Sequence, residues 1–309
     1  MRTSPSTSTR ASCQVYGTAK QGAKFGYTKV RGYHPLLATL AGSGEVLHAR
    51  MRGGNAGAAR GAGSFVRETI SRIRQAGATG KLTFRADSAL DSRKFITACQ
   101  DHDVAFLRDG QDRNQGDPCR YRPDPRKRVG ADPLLAFRAE RTWPRRPFAA
   151  FKGTKDAVEL RLIVRRVRPT PGSQLALDVV CDYHAILTDR EGGTLAIESD
   201  HRAHAVVELA IRDLKAGGLA HVPSGLFTAN AAWLALAVLS HNLARWTLAA
   251  AGDPWSNATT ETFRAKLVAM PARIVHTARR LKLRAPTRWR WHKAFDAAMV
   301  RIAAIPAPT

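Results

Sequence analysis

The feature that most constrains this chain is an order of periodicities in its first third, in which a short strand closed by an acidic residue sits between two helical patterns. Residues 33–39 and 46–50 are short apolar runs separated by Gly42 and Gly44, the pattern of an antiparallel hairpin with a small-residue turn. Gly53-Gly54-Asn55 then marks a sharp exit. Phe65, Ile70, Ile73 and Ala76 recur at helical spacing on a helix that starts near Gly63 or Ser64 and is closed by Gly77 and Gly80. Residues 81–86 read as a strand, Asp87 follows at once, residues 92–100 form a helix with Phe95, Ile96 and Cys99 on its apolar side, and 104–107 is the next strand. Such an order predicts an α/β fold with a mixed sheet.

Beyond it, residues 108–146 crowd Pro, Arg, Asp and Gly together without either period. Alternation resumes at 159–167, where Leu160, Leu162 and Val164 alternate with Arg161 and Arg165, and again at 183–188. Asp200 is placed to cap a helix reaching about Lys215, and a long apolar helix over 229–250 should bury Leu234, Val238 and Leu239. From Thr260 onward the chain is basic, with Arg273, Arg279, Arg280, Lys282, Arg284, Arg288 and Arg290 interleaved with Trp289 and Trp291. Those two tryptophans suit a core and a nucleic-acid contact equally. Trp233 and Trp246 read as helix packing. No internal repeat is present, which excludes a solenoid.

Charge narrows the function. Lys and Arg number 49 against 25 Asp and Glu, a net +24, and self-repulsion of that size calls for a polyanion. Nucleic acid fits better than a membrane surface, because the basic residues are spread along the chain with no basic amphipathic anchor. The apolar stretch 229–239 is too short to span a bilayer, and the Ser/Thr-rich start has no apolar run behind it, so neither a membrane protein nor a secretory signal is expected. Cys13, Cys99, Cys119 and Cys181 form no Cys-x-x-Cys pair, which argues against a zinc ribbon or a disulfide framework and fits a reduced cytosol. Gly57-x-x-x-Gly61-x-Gly63 fits no phosphate loop, and Asp213, His221 and Ser224 lack a nucleophile turn.

Two carboxylates stand out. Asp87 closes a strand where many α/β active sites lie, although such a residue also serves as a cap for the following helix. Glu208 shares a helix face with Arg212 and Lys215, a pattern that on spacing alone is an ordinary solvated ion-pair face.

Several stretches together carry a resemblance. Val15-Tyr16-Gly17, Gly22-Ala23, Phe25-Gly26-Tyr27, Arg31-Gly32-Tyr33-His34-Pro35-Leu36, Arg52-Gly53-Gly54-Asn55-Ala56, Arg85-Ala86-Asp87-Ser88, Ile211-Arg212-Asp213-Leu214-Lys215, Ala229-Asn230 and His241-Asn242-Leu243-Ala244-Arg245-Trp246 resemble bacterial DDE-type insertion-sequence transposases. The similar branch inserts β-strands between its second and third catalytic carboxylates. Its helical signature of Tyr, two residues, Arg, three residues, Glu, six residues, Lys falls on His201, His204, Glu208 and Lys215, so that Tyr and Arg are both replaced by His.

The resemblance implies a ribonuclease-H-like mixed sheet flanked by helices, with an inserted β region and a helical C-terminal part. The divisions expected are an atypical 1–12, a first core part 13–107, an inserted region 108–195, a second core part 196–251 and a basic region 252–309. Asp87 and Glu208 are implied as catalytic, metal-holding acids, with Lys215, Arg212, His201 and His204 toward DNA. Hard oxygen ligands imply Mg²⁺ or Mn²⁺. Partners implied are the terminal inverted repeats, target DNA and a second copy in a dimer on DNA, in the bacterial cytoplasm at the nucleoid.

One acid is missing. No Asp precedes Asp87, and the earlier Glu45 and Glu68 lie in a hairpin turn and on a helix. The family's first Asp would fall near Thr9, and its strand is expected to be absent, as though residues 1–12 were read out of the ancestral frame, with a second such change over 108–146. Catalysis would then be impaired and DNA binding retained, the rival being an inert DNA-binding remnant of a transposase.

Overall fold

The structure is a computed structural model that describes residues 5–7, 12–26, 29–57, 59–87, 90, 92–109, 139–142, 146–155, 157–167, 182–202, 206–286 and 288–306. In chain order its elements are β1 (Pro5–Thr7), β2 (Cys13–Gln14), β3 (Lys24–Phe25), β4 (Arg31–Tyr33), β5 (Leu36–Leu40), β6 (Val46–Arg50), α1 (Ala62–Gln75), β7 (Thr83–Ala86), α2 (Arg93–Gln100), β8 (Ala105–Asp109), β9 (Ala139–Thr142), β10 (Arg146–Ala150), β11 (Val158–Val167), β12 (Asp182–Thr188), α3 (Thr194–Arg202), α4 (Val206–Ala216), α5 (Phe227–Ala251), α6 (Thr260–Phe263), β13 (Arg273–Thr277), β14 (Arg280–Arg284) and α7 (His292–Ala303). They fall into two compact units, one of residues 1–10, 36–41 and 56–208, the other of 11–35, 42–55 and 209–309.

The first unit is built on a sheet ordered β10-β11-β12-β8-β7-β1-β5, with β9 also on β11. β1 runs antiparallel to β5, from Pro5 opposite Leu40 to Thr7 opposite Ala38, and parallel to β7, with Ser6 beside Arg85. β7 and β8 are parallel, from Thr83 beside Ala105 to Ala86 beside Arg108. A parallel trio with antiparallel strands on both sides is the ribonuclease-H-like order, and β9 to β12 continue the same sheet. The first strand is therefore present, against expectation. A ladder is made of backbone groups, so a Ser/Thr segment lacking any apolar signature can fill the slot, and Pro is tolerated as a strand's first residue.

One face of this sheet is aromatic. Phe84 and Phe106, level with each other on β7 and β8, flank Phe95 of α2 at ring distances of 6.2 and 5.8 Å in edge-to-face packing, and all three are fully buried. α1 lies close to α2 because Gly63 faces Lys94, where a Cβ would meet the carbonyl oxygen at 2.7 Å.

In the second unit the short antiparallel sheet β2-β4-β3 is held by backbone contact. A Cβ on Gly32 would stand 2.2 Å from the Cys13 carbonyl oxygen, and one on Gly54 would stand 2.1 Å from that of Lys24 and 2.2 Å from that of Gly32. Arg31 donates to the carbonyls of Gly17, Thr18 and Ala23, and Arg52 donates to that of His34 at 2.9 Å. The buried Tyr33 hydroxyl donates to the Gln21 carbonyl at 2.7 Å and accepts from Asn230 Nδ2 at 3.1 Å.

α5 buries Asn230, Leu234, Ala237, His241, Ala244, Leu248 and Ala251, a single stripe at helical spacing. Leu239, expected in the core, is 50% exposed, since the buried stripe follows the polar His241 and not the most apolar positions. No described helix is long and apolar enough to cross a membrane. Leu248, Ala251, Leu267, Ala294 and Ala298 form a smaller core, against which Trp255, Trp289, Trp291 and Phe295 pack; Trp289 and Trp291 are thus structural residues. Lys266 Nζ lies 4.7 Å from the Trp291 ring. The C-terminal part is not wholly helical, because β13 and β14 form a separate two-stranded sheet.

Two outcomes test this packing. Gly54→Ala places its methyl against rigid carbonyls and should cost about 3 kcal/mol or more in urea unfolding, whereas Gly57→Ala, with nothing within 4 Å, should cost roughly 0.5 kcal/mol or less. Burial depresses the His241 pKa below its ordinary 6.5, with the hydrogen bond to the Gly44 carbonyl opposing. The folded state then binds fewer protons than the unfolded one, so this stability is complete above about pH 6.5 and is lost as pH falls toward the depressed value. Thermal melts from neutral pH to about pH 5.5 should show a declining Tm, and His241→Gln should flatten that decline.

Candidate active site

Asp87 is half-buried and follows the last residue of β7, at the carboxyl end of the parallel trio. The capping role weighed for it belongs to Ser92, whose hydroxyl accepts from Phe95 N at 3.2 Å. Continuing the Ala86–Arg108 register by one residue brings Asp87 level with Asp109, which ends β8. In a parallel pair, level residues lie on the same face. That face is the one carrying Leu107, which packs with Ile163, Ile186 and Ile197 of α3.

α3 carries His201. Its Nε2 lies 3.1 Å from Asp109 Oδ1, with Asp109 41% exposed. The ring of His201, a residue implied toward DNA, joins α3 to the end of β8. Asp109 went unnoticed in the sequence because it opens an aperiodic segment. Glu208 is exposed in the first turn of α4 and shares a helix face with Arg212 and Lys215, which are also exposed. Val207, Ala210, Ile211 and Leu214 fill the buried side. Lys215 is close enough for its charge to act on the Cys13 thiol, although burial dominates and pushes that thiol up to about 11. His204 lies outside the described residues.

Asp200 does not cap the helix that carries Glu208, because it lies inside α3. Its carboxylate accepts from Arg190 at 2.7 Å and its carbonyl from Arg85. Arg85 is almost fully buried on β7, and desolvation lowers its pKa, with Asp200 opposing. Glu198 is 1% exposed and accepts from Arg165 at 3.1 Å and Arg202 at 3.0 Å. Arg161 donates to Thr194 Oγ1 at 2.7 Å and to the Gly192 carbonyl at 2.8 Å. The arginines that alternate along β11 therefore face α3 and not solvent. Two-fold alternation in the sequence gave their common face, but not what covers it.

Among the described residues no group of three or more His, Cys, Asp or Glu side chains is assembled that could hold a metal ion. His201 pairs with Asp109, Asp87 closes the central strand and Glu208 stands in the first turn of α4.

A ribonuclease-H-like sheet with an acid closing its central parallel strand, followed by helices carrying a second acid, defines a class of proteins. Within it, the chain belongs to the family described as transposase DDE domain group 1, whose model matches residues 10–114 and 136–307. A search of curated proteins finds no match. Among solved structures the chain is similar to a piggyBac transposase in a synaptic complex with hairpin DNA, at 10% identity and a TM-score of 0.41, covering 99% of this chain and 58% of that one. The chain thus spans 58% of that transposase's length.

Removing Glu198 should be costly, since two arginines converge on a carboxylate withdrawn from water. Glu198→Ala is expected to lose about 3 to 5 kcal/mol of stability in chemical denaturation, and the more exposed Asp200→Ala roughly 1 kcal/mol or less.

Proposed function

We propose that this protein is a DNA transposase that cuts and joins DNA at the terminal inverted repeats of its own insertion sequence, with Asp87 and Glu208 as its metal-holding acids. The observation that carries the reading is the position of Asp87 at the carboxyl end of the central parallel strand, in a member of the DDE family. Side chains there project into the crevice where α/β folds place their chemistry.

The donors suit the cation class that the family implies. Asp87 and Glu208 offer hard carboxylate oxygens, the ligand type Mg²⁺ and Mn²⁺ prefer, and neither an imidazole nor a thiolate is needed. Divalent ions held there would activate a water or a 3'-hydroxyl and stabilise the leaving oxygen of a phosphodiester. The chain's own residues do the positioning. Arg212 and Lys215, one and two turns beyond Glu208 on its face, meet the phosphates beside the cut, and His204 contributes to that contact. His201, with its Nε2 engaged by Asp109, steadies α3 and holds the end of β8 in place. A homodimer on DNA would bring two element ends together.

A second reading has its own support. No Asp precedes Asp87, so the chain offers two of the family's three acids, and a protein with an incomplete set would bind DNA without cutting it. Position 9, where the family's first Asp would fall, lies outside the described residues.

One experiment separates the readings. Purified protein is incubated with labelled element ends and Mn²⁺, and nicking and mobility are followed together. The transposase reading expects nicks confined to the terminal repeats, with Asp87→Asn and Glu208→Gln each reducing the rate roughly 100-fold or more, about 2.7 kcal/mol of transition-state stabilisation, while leaving the mobility shift intact. A shifted but uncut band establishes the inert binder. Cutting that ignores the repeats, or nicking that survives Asp87→Asn, sinks the assignment.

A further inference from the structure

Between Thr262 and Phe295 the chain carries ten Lys or Arg and no Asp or Glu. Half of those cations lie in one hairpin. β13 and β14 pair only with each other, from Arg273 opposite Arg284 to Thr277 opposite Arg280. Every residue of β14 is exposed, and in β13 all but Val275 are.

Alternation gives the ribbon two unlike faces. The register puts Arg273, Val275 and Thr277 on one face with Arg284, Lys282 and Arg280 opposite them, and puts Ile274 and His276 on the other with Leu283 and Leu281. One face is therefore a patch of four cations, and the other is apolar, with Ile274 69%, Leu281 73% and Leu283 58% exposed. Arg273 and Arg284 stand directly opposite each other, an arrangement that is unfavourable in water and relieved by a polyanion. Ala278 and Arg279 at the turn have φ values of 47° and 61°, both in the left-handed region, as a tight hairpin turn requires, and Arg279 adds a fifth cation at the tip.

We propose that the β13–β14 ribbon is a duplex-DNA contact, with its cationic face laid against the phosphates along a major groove. The proposal rests on the reading of the protein as one that acts on DNA, and it adds an element outside the Asp87 and Glu208 region. Dimensions agree, since five residue pairs at about 3.3 Å each, on two strands about 5 Å apart, fit a groove about 12 Å wide. An anionic membrane surface would also accept a cationic face opposite an apolar one; membership of the DDE transposase family favours duplex DNA.

The full chain is titrated with a fluorescent duplex of about 30 bp and arbitrary sequence, between about 50 and 200 mM NaCl, to obtain the slope of log affinity against log salt. Replacing Arg273, Arg280, Lys282 and Arg284 by Gln should reduce that slope by about 3 to 4, at roughly 0.9 per phosphate contact, and Lys282→Gln alone by about 0.9. These side chains are exposed, so circular dichroism should be unchanged. The opposite-face variant Ile274→Thr/Leu281→Thr/Leu283→Thr should retain the original slope. The proposal is overturned if the original protein binds duplex and the four-cation variant keeps its slope, or if the salt dependence is lost from the apolar-face variant instead. It is also overturned if only binding to vesicles of anionic phospholipid depends on the four cations. An original protein that binds no duplex overturns the DNA reading itself, and the ribbon proposal with it.

Discussion

Polar side chains of α5 complete the backbone of segments almost two hundred residues earlier in the chain, and the second unit depends on this. Asn242 behaves like one more strand residue, donating to the Val46 carbonyl at 2.9 Å and accepting from its N–H at 2.8 Å. His241 meets the Gly44 carbonyl at 3.0 Å, and Arg245 spans the carbonyls of Ser43, Ser256 and Ala258 at 2.8 to 2.9 Å. Asn230 accepts from Ser224 N at 3.0 Å and donates to the Ser224 carbonyl at 2.9 Å and to Tyr33. Each bond is modest by itself, but a buried carbonyl left without a donor is expensive, so these contacts specify one arrangement of the loops. They also account for several stretches that carry the family resemblance. Arg31, Tyr33, Gly32, Gly54, Asn230, His241, Asn242 and Arg245 hold backbone and do not perform chemistry.

A second constraint operates within the first unit. α3 is joined to the rest of the first unit by ion pairs as well as by Ile197, with Glu198 on Arg165, Asp200 on Arg190, and His201 on Asp109. The pairs at the buried Glu198 give little net stability, yet they are costly to break singly, because the partner left behind stays desolvated. Together, the ion pairs of α3 fix it with respect to the ends of β7 and β8. Of the two histidines that replace the family's Tyr and Arg, His201 makes its contact with a carboxylate at a strand end.

Much of this was legible in the sequence, and the gaps have identifiable causes. Hairpin, helix, strand, Asp87, helix and strand are readable because the helices and strands bury apolar faces, and Phe95, Ile96 and Cys99 reported a real core. β1 was missed because Pro5, Ser6 and Thr7 carry no apolar alternation in the sequence, while the ladder they join is made of backbone groups. The start of α3 was missed because Asp200 resembles a cap while the helix already begins at Thr194, where Arg161 meets the Thr194 hydroxyl. Leu239 was misassigned because residues 234–239 of α5 are apolar on all sides, so composition could not tell the buried stripe from the exposed one. The β13–β14 ribbon alternates strictly over 280–284, but dense positive charge hid that period.

The placement of charge connects these features to function. Arginines facing α3 are matched by Glu198 and Asp200, so that part of the excess is neutralised inside the fold. Nothing comparable exists after Glu261, where thirty-four residues pass without an acid. Lys266 and Arg290 lie over the Trp291 ring, which absorbs two of those cations in the small core without cancelling their charge. Five of the remainder, Arg273, Arg279, Arg280, Lys282 and Arg284, stand on the exposed ribbon and its turn. Repulsion of this kind is relieved where a surface meets negative charge, and a phosphate backbone supplies such charge at regular spacing.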